Sequence, residues 1–143
     1  MLAALGAVAL LSLWQSASAQ SDKPYTDGPV WLISYVKIKD GMEDTYLKDL
    51  DTHWVKLMKA AKTDGDIVDY KVVEGMAANP DDWDLMVLIK VKNYAAIDSI
   101  PHQLDLLAKK LLGGDKALNQ KAIARNDLRI RWGSRIAQEL DFK

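Results

Sequence analysis

Val30-Trp31-Leu32-Ile33-Ser34-Tyr35-Val36-Lys37-Ile38-Lys39 is the stretch that decides the fold. In an extended chain successive side chains point to opposite faces, so Val30, Leu32, Val36 and Ile38 share one face and Trp31, Ile33 and Tyr35 the other. A strand apolar on both faces has to be covered on both faces. Asp40-Gly41 breaks this strand. From Met42 to about Lys62 the apolar positions Tyr46, Leu50, Trp54, Leu57, Met58 and Ala61 return with helical period, which predicts an amphipathic helix. Thr63-Asp64-Gly65-Asp66 is a turn, and a second strand is expected from about Ile67 to Glu74.

Farther along, Gly75 to Asp82 holds Asn79-Pro80 and reads as loop. A third strand is expected over Trp83 to Lys92. Ile97, Ile100, Leu104, Leu107 and Leu111 then fall on one helix face, with Pro101 suited to a first helical turn. Gly113-Gly114 stops that helix, Asp115 can cap another running to about Asp127, and a last strand is expected from Arg129 to Phe142. In this last strand Ile130, Trp132, Ile136, Leu140 and Phe142 alternate with Arg131, Arg135, Glu139 and Asp141, placing the two arginines on one charged face. The order β-α-β-β-α-β, with an extra helix before the last strand, is that of a ferredoxin-like α+β sandwich.

At the front, Leu2 to Leu13 is an almost unbroken apolar run, followed by Ala17-Ser18-Ala19, a small-x-small pattern of the kind signal peptidase accepts. Residues 1–19 are therefore expected to be a secretory signal, although no Lys or Arg precedes Lys23. The run is shorter than the roughly 20 residues a spanning helix needs. No membrane association is expected after cleavage, and the compartment is periplasmic or extracellular. Residues 20–28 are polar, contain Pro24 and Gly28, and read as a flexible leader to one domain at 29–143.

The 143 residues carry 19 basic and 20 acidic side chains for a net charge of -1, with 49% hydrophobic residues. That balance argues against a nucleic-acid or anionic-membrane binder, and the apolar fraction against a disordered chain. With no cysteine in the chain, thiol catalysis, iron-sulfur clusters and zinc-thiolate sites are excluded. Phosphate loops, dinucleotide fingerprints, nucleophile elbows and zincin helices are absent too.

A sheet with helices on one side leaves Trp31, Ile33 and Tyr35 bare on the other, and a second copy of the chain is the simplest cover. The element order, the chain length, the Asp40-Gly41 break and the first helix bearing Tyr46 and Trp54 together resemble the dimeric α+β barrel superfamily. That group includes antibiotic-biosynthesis-type monooxygenases, haem degraders, EthD-like proteins and stress-responsive barrels. The resemblance spans about Pro29 to Phe142 and implies a homodimer with a cavity between helices and sheet.

The expected function is small-molecule binding by such an exported dimer, acting without a cofactor as a monooxygenase or isomerase on an apolar or aromatic compound. A noncatalytic structural or binding homodimer is the alternative. The two histidines, His53 and His102, fall on or beside the helical segments, and His53 is the candidate proton-transfer group. In haem-degrading members a helical histidine ligates iron, but no other feature aligns that ligand with either position. Asp49 and Asp98 each stand four residues before a histidine, a spacing compatible with a metal pair, but Pro101 interrupts the second pair. All four arginines lie between positions 125 and 135, and their planar forks grip carboxylates in a way that lysine cannot. Arg125 and Arg129, at the junction of last helix and last strand, are candidates for an acidic ligand group, with Tyr35 as a further anchor. Trp54 and Tyr70 are candidate aromatic lining, and His102 a further ligand contact.

Overall fold

The computed structural model describes residues 23–143, so the expected signal segment and the first leader residues lie outside the described residues. β1 (Tyr25–Ile38) is followed by α1 (Glu43–Asp49), a π-helical turn (Leu50–Val55) and α2 (Lys56–Asp64), which run on as one helical segment. β2 (Asp69–Glu74) and β3 (Leu85–Val91) come next, then a short 3₁₀ turn (Tyr94–Asp98), α3 (Ile100–Leu112), α4 (Gly114–Leu128) and β4 (Arg129–Phe142). The four strands form one antiparallel sheet in the order β2-β3-β1-β4. This α+β arrangement is compatible with a ferredoxin-like fold, and the extra helix before the last strand is present. No helix of the described residues is long and apolar enough to cross a membrane.

β1 starts earlier than Pro29. Tyr25, Thr26 and Asp27 pair with Phe142, Asp141 and Leu140, so residues expected to be flexible leader are strand. The polar composition concealed this because an edge pairing is made by backbone groups, whatever the side chains. Pro101 sits at the start of α3 and Asp98 ends the preceding 3₁₀ turn, so Asp98 and His102 do not share a helix. α3 and α4 are joined through Gly113 and Gly114, both with positive φ (102° and 80°), a reversal that residues with a Cβ rarely make.

The helices lie on the face carrying Val30, Leu32, Val36, Leu85 and Val91. One core cluster joins Val30, Met58, Ala61, Ile67, Val91, Ile100 and Leu107. A second joins Val36, Tyr46, Leu50 and Leu85, and Trp54 packs against both. The buried strand side chains Val30, Val36, Leu85 and Val91 all belong to this face.

The opposite face carries Trp31, Ile33 and Tyr35, in register with Lys90, Leu88 and Met86. Tyr35 packs between Trp83 and Trp132, at ring separations of 5.3 and 6.0 Å, and Trp132 remains 50% exposed. Trp31 is flanked by Lys71 and Lys90 and donates its indole N–H to Glu139 at 2.6 Å. Apolar and aromatic groups thus occupy the centre of the open face, and ion-paired groups such as Lys90 and Glu139 stand beside them.

The last strand departs from simple alternation. Tyr35 pairs with Gly133 but Val36 pairs with Arg131, so Trp132 is an extra residue at a β-bulge. Arg129 and Arg131, opposite Ile38 and Val36, therefore face the helices, whereas Arg135, opposite Ile33, faces the other way. The single charged face expected for Arg131 and Arg135 is split by that one residue.

Candidate functional site

Along the helix-facing file of β1, the sequence Val30, Leu32, Ser34, Val36, Ile38 has one polar and small member. Ser34 lies directly opposite Ser134 of β4 and Val87 of β3. Small side chains on adjacent strands leave space below the helical layer, and a cavity of about 360 Å³ occupies it. Ser34, Ser134, Gly133 and Val87 contribute from the sheet, Tyr46, Leu50 and Trp54 from the first helical segment, and Arg125, Arg129 and Arg131 from α4 and β4.

The helical wall is shaped by the π-helical turn, a wider winding that is rare within α-helices and often found at functional sites. His53 Nδ1 approaches both the Asp49 carboxylate, at 2.8 Å, and the Asp49 carbonyl oxygen, at 3.0 Å. In an α-helix that carbonyl would pair with the His53 amide. The ring competes for the acceptor, which accounts for a local change in winding.

Asp49 links two elements. Its Oδ2 accepts from Nε of Arg125 at 2.6 Å, across from α1 to α4. On the other side of the imidazole, Lys121 Nζ lies 2.6 Å from His53 Nε2. An ammonium only donates, so Nε2 accepts and the ring proton belongs to Nδ1, where it meets Asp49. Lys121, His53, Asp49 and Arg125 form one continuous polar chain that ends at the cavity. The junction of α4 and β4 is held in place by the end of β1, where the Lys39 amide donates to Leu128 O and Lys39 Nζ to Asn126 O, each at 3.0 Å.

Arg129 differs from Arg125 in having no carboxylate. Its guanidinium sits 5.9 Å from the centre of the Tyr46 ring, and its Nε is buried without a hydrogen-bond partner among the described residues. Burial, reinforced by the nearby charges of Arg125 and Arg131, pushes its pKa down, partly offset by Tyr46 and Asp49. Burial also raises the Tyr46 phenol, against the pull of Arg129 and Arg125. The region has more positive charge than the protein itself compensates.

Of the residues singled out from sequence, Tyr35, Trp54, Arg125 and Arg129 border the cavity. The Tyr35 ring, however, packs on the open face with Trp83 and Trp132. Tyr70 stands behind Trp54, edge to face at 5.7 Å. His53 is outside the lining and reaches the cavity only through Asp49 and Arg125. His102 is exposed at the start of α3 and takes no part. No three His, Asp or Glu side chains among the described residues stand together as metal ligands. Tyr46, Ser34, Ser134 and Arg131 escaped the sequence reading. Ser34 left a trace, as the one polar residue in an apolar file, and Arg131 was hidden by the bulge.

No family model matches the chain, and no curated protein matches it.

Proposed function

We propose that this chain is an exported small-molecule-binding protein of the dimeric α+β barrel kind, its ligand an apolar or aromatic compound with an acidic group. The observation that carries this is the cavity between helices and sheet, with an aromatic and aliphatic wall beside three arginines. Its volume is at the small end of ligand sites, enough for a compact molecule and not for a large cofactor. Dimerisation would pair the open faces, burying Trp31, Ile33, Tyr35 and Trp132 against their counterparts.

Turnover as a cofactor-independent monooxygenase or isomerase would need a group that exchanges a proton with the ligand. His53 would do so at a distance, through Asp49 and Arg125, while Tyr46 borders the cavity itself. A dimer without a ligand is the alternative, and the apolar open face alone supports it. Native mass spectrometry of protein purified from its source separates these outcomes. A dimer carrying a small molecule supports ligand binding, an empty dimer supports the structural alternative, and an empty monomer defeats both.

A further inference from the structure

We propose that the cavity is a built oxyanion site whose ligand is a small aromatic monocarboxylate, held by Arg129 and kept selective by Asp49. The proposal rests on the cavity being a ligand site and names the chemistry that site selects. Three guanidinium groups border the cavity, and among the described residues Arg125 alone is engaged by an Asp carboxylate, through its Nε. Asp49 is engaged through both oxygens, one on Arg125 and the other on His53. Arg129 makes no such pair, and its buried Nε–H lacks an acceptor among the described residues.

A buried donor without a partner is costly, and a charged one more so. Arg129 borders the cavity, so an anion bound there meets its guanidinium and offsets positive charge already in excess. A planar carboxylate suits an arginine fork through two parallel bonds. The other wall is Trp54, Tyr46, Leu50 and Val87, which a flat ring would contact and which a fully hydrated inorganic anion would leave unfilled. Ser34 and Ser134, facing each other across β1 and β4, offer hydroxyls to a second polar edge. Asp49 acts as a positioning residue. It ties Arg125 to α1 and leaves Arg129 to clamp the ligand's carboxylate.

Calorimetric titration of the full chain with benzoate, benzamide and inorganic phosphate tests this. Benzoate is expected to bind about 30-fold more tightly than benzamide, the range for a charge-assisted hydrogen bond converted to affinity, and phosphate more weakly than benzoate. Arg129→Gln should bring benzoate down to the benzamide level. Arg129→Lys, which keeps the charge but not the planar fork, should lose part of that affinity and serves if the Gln variant fails to fold by circular dichroism. Benzamide binding as well as benzoate would overturn the carboxylate assignment while leaving the cavity as a ligand site. Phosphate matching benzoate would overturn the aromatic assignment, and an unchanged benzoate affinity in the folded Arg129 variants would remove Arg129 from the site. Failure of both aromatic probes to bind would overturn the inference and count against the broader ligand-binding proposal as well.

Discussion

Replacing Asp49 by Asn keeps the size of the side chain and removes the charge that joins α1 to α4. In the folded protein Asp49 is 18% exposed and Arg125 21%, so the pair lies between a surface ion pair and a fully buried one. Exposed pairs contribute up to about 1 kcal/mol, while removal of one partner from a buried pair costs about 3–5 kcal/mol. An intermediate loss of about 2 kcal/mol is expected here, because an Asn oxygen can still accept one of the two hydrogen bonds but no longer offsets the arginine charges. For a domain of this size that lowers Tm by about 6–8 °C. The source of the loss is uncompensated positive charge, so Arg125→Gln in the Asp49→Asn background should recover about 1 kcal/mol, and salt should narrow the difference between Asp49→Asn and the parent. Urea unfolding of the parent, both single variants and the double variant, at low and high salt, measures each quantity. Additive effects, with the double variant less stable than either single one, would refute the linkage of α1 to α4 through this pair.

Other outcomes follow from the same structure. Ile33→Lys places a charge at the centre of the open face, opposite Leu88 and Arg135. It should shift a dimer to monomer in size-exclusion chromatography with light scattering while the far-ultraviolet spectrum stays unchanged, and a persistent dimer would rule out assembly through that face. The Tyr46 phenol titrates above its ordinary 10.0. The fold therefore gains stability from it that is complete below pH 10 and lost as pH rises through the raised value. A spectrophotometric titration should show one tyrosine ionising late, and its absence in Tyr46→Phe identifies it. Glu139 is held below its ordinary 4.5 by hydrogen bonds from Lys90 and Trp31, so its contribution is present above that pH and lost as pH falls through the lowered value. Trp31 fluorescence should change in that acid window, and not in Glu139→Gln. Gly75→Ala would drive a methyl group into the Trp83 indole, at a cost of about 1–3 kcal/mol measurable by urea unfolding.

Much of the sheet could be read from β1, since its alternation divides helix-facing Val30, Leu32 and Val36 from open-face Trp31, Ile33 and Tyr35 as the structure does. β4 was legible in extent, Arg129 to Phe142, but not in facing, because a period-two pattern carries no mark of an inserted residue. Backbone pairing at Tyr25–Asp27 left no apolar signature. The π-helical turn was equally hidden, as one wide turn inside a long helix hardly disturbs the apolar stripe. For the site, the confinement of arginine to one segment was the informative signal. Which of those arginines meets a carboxylate, and which one buries an unpartnered Nε–H among the described residues, depends on contacts between α1, α4 and β4 that sequence spacing does not encode.

The bulge at Trp132 makes one strand serve two surfaces: its first residues deliver Arg129 and Arg131 to the ligand side, and the next ones turn Arg135 away. A shift in phase is therefore a change in chemistry. Pairing the same letters in unbroken register, with Trp132 opposite Tyr35, would turn Ser134 out and Arg135 in toward the cavity, so that register as well as residue identity is a variable by which such a pocket can acquire a different charge.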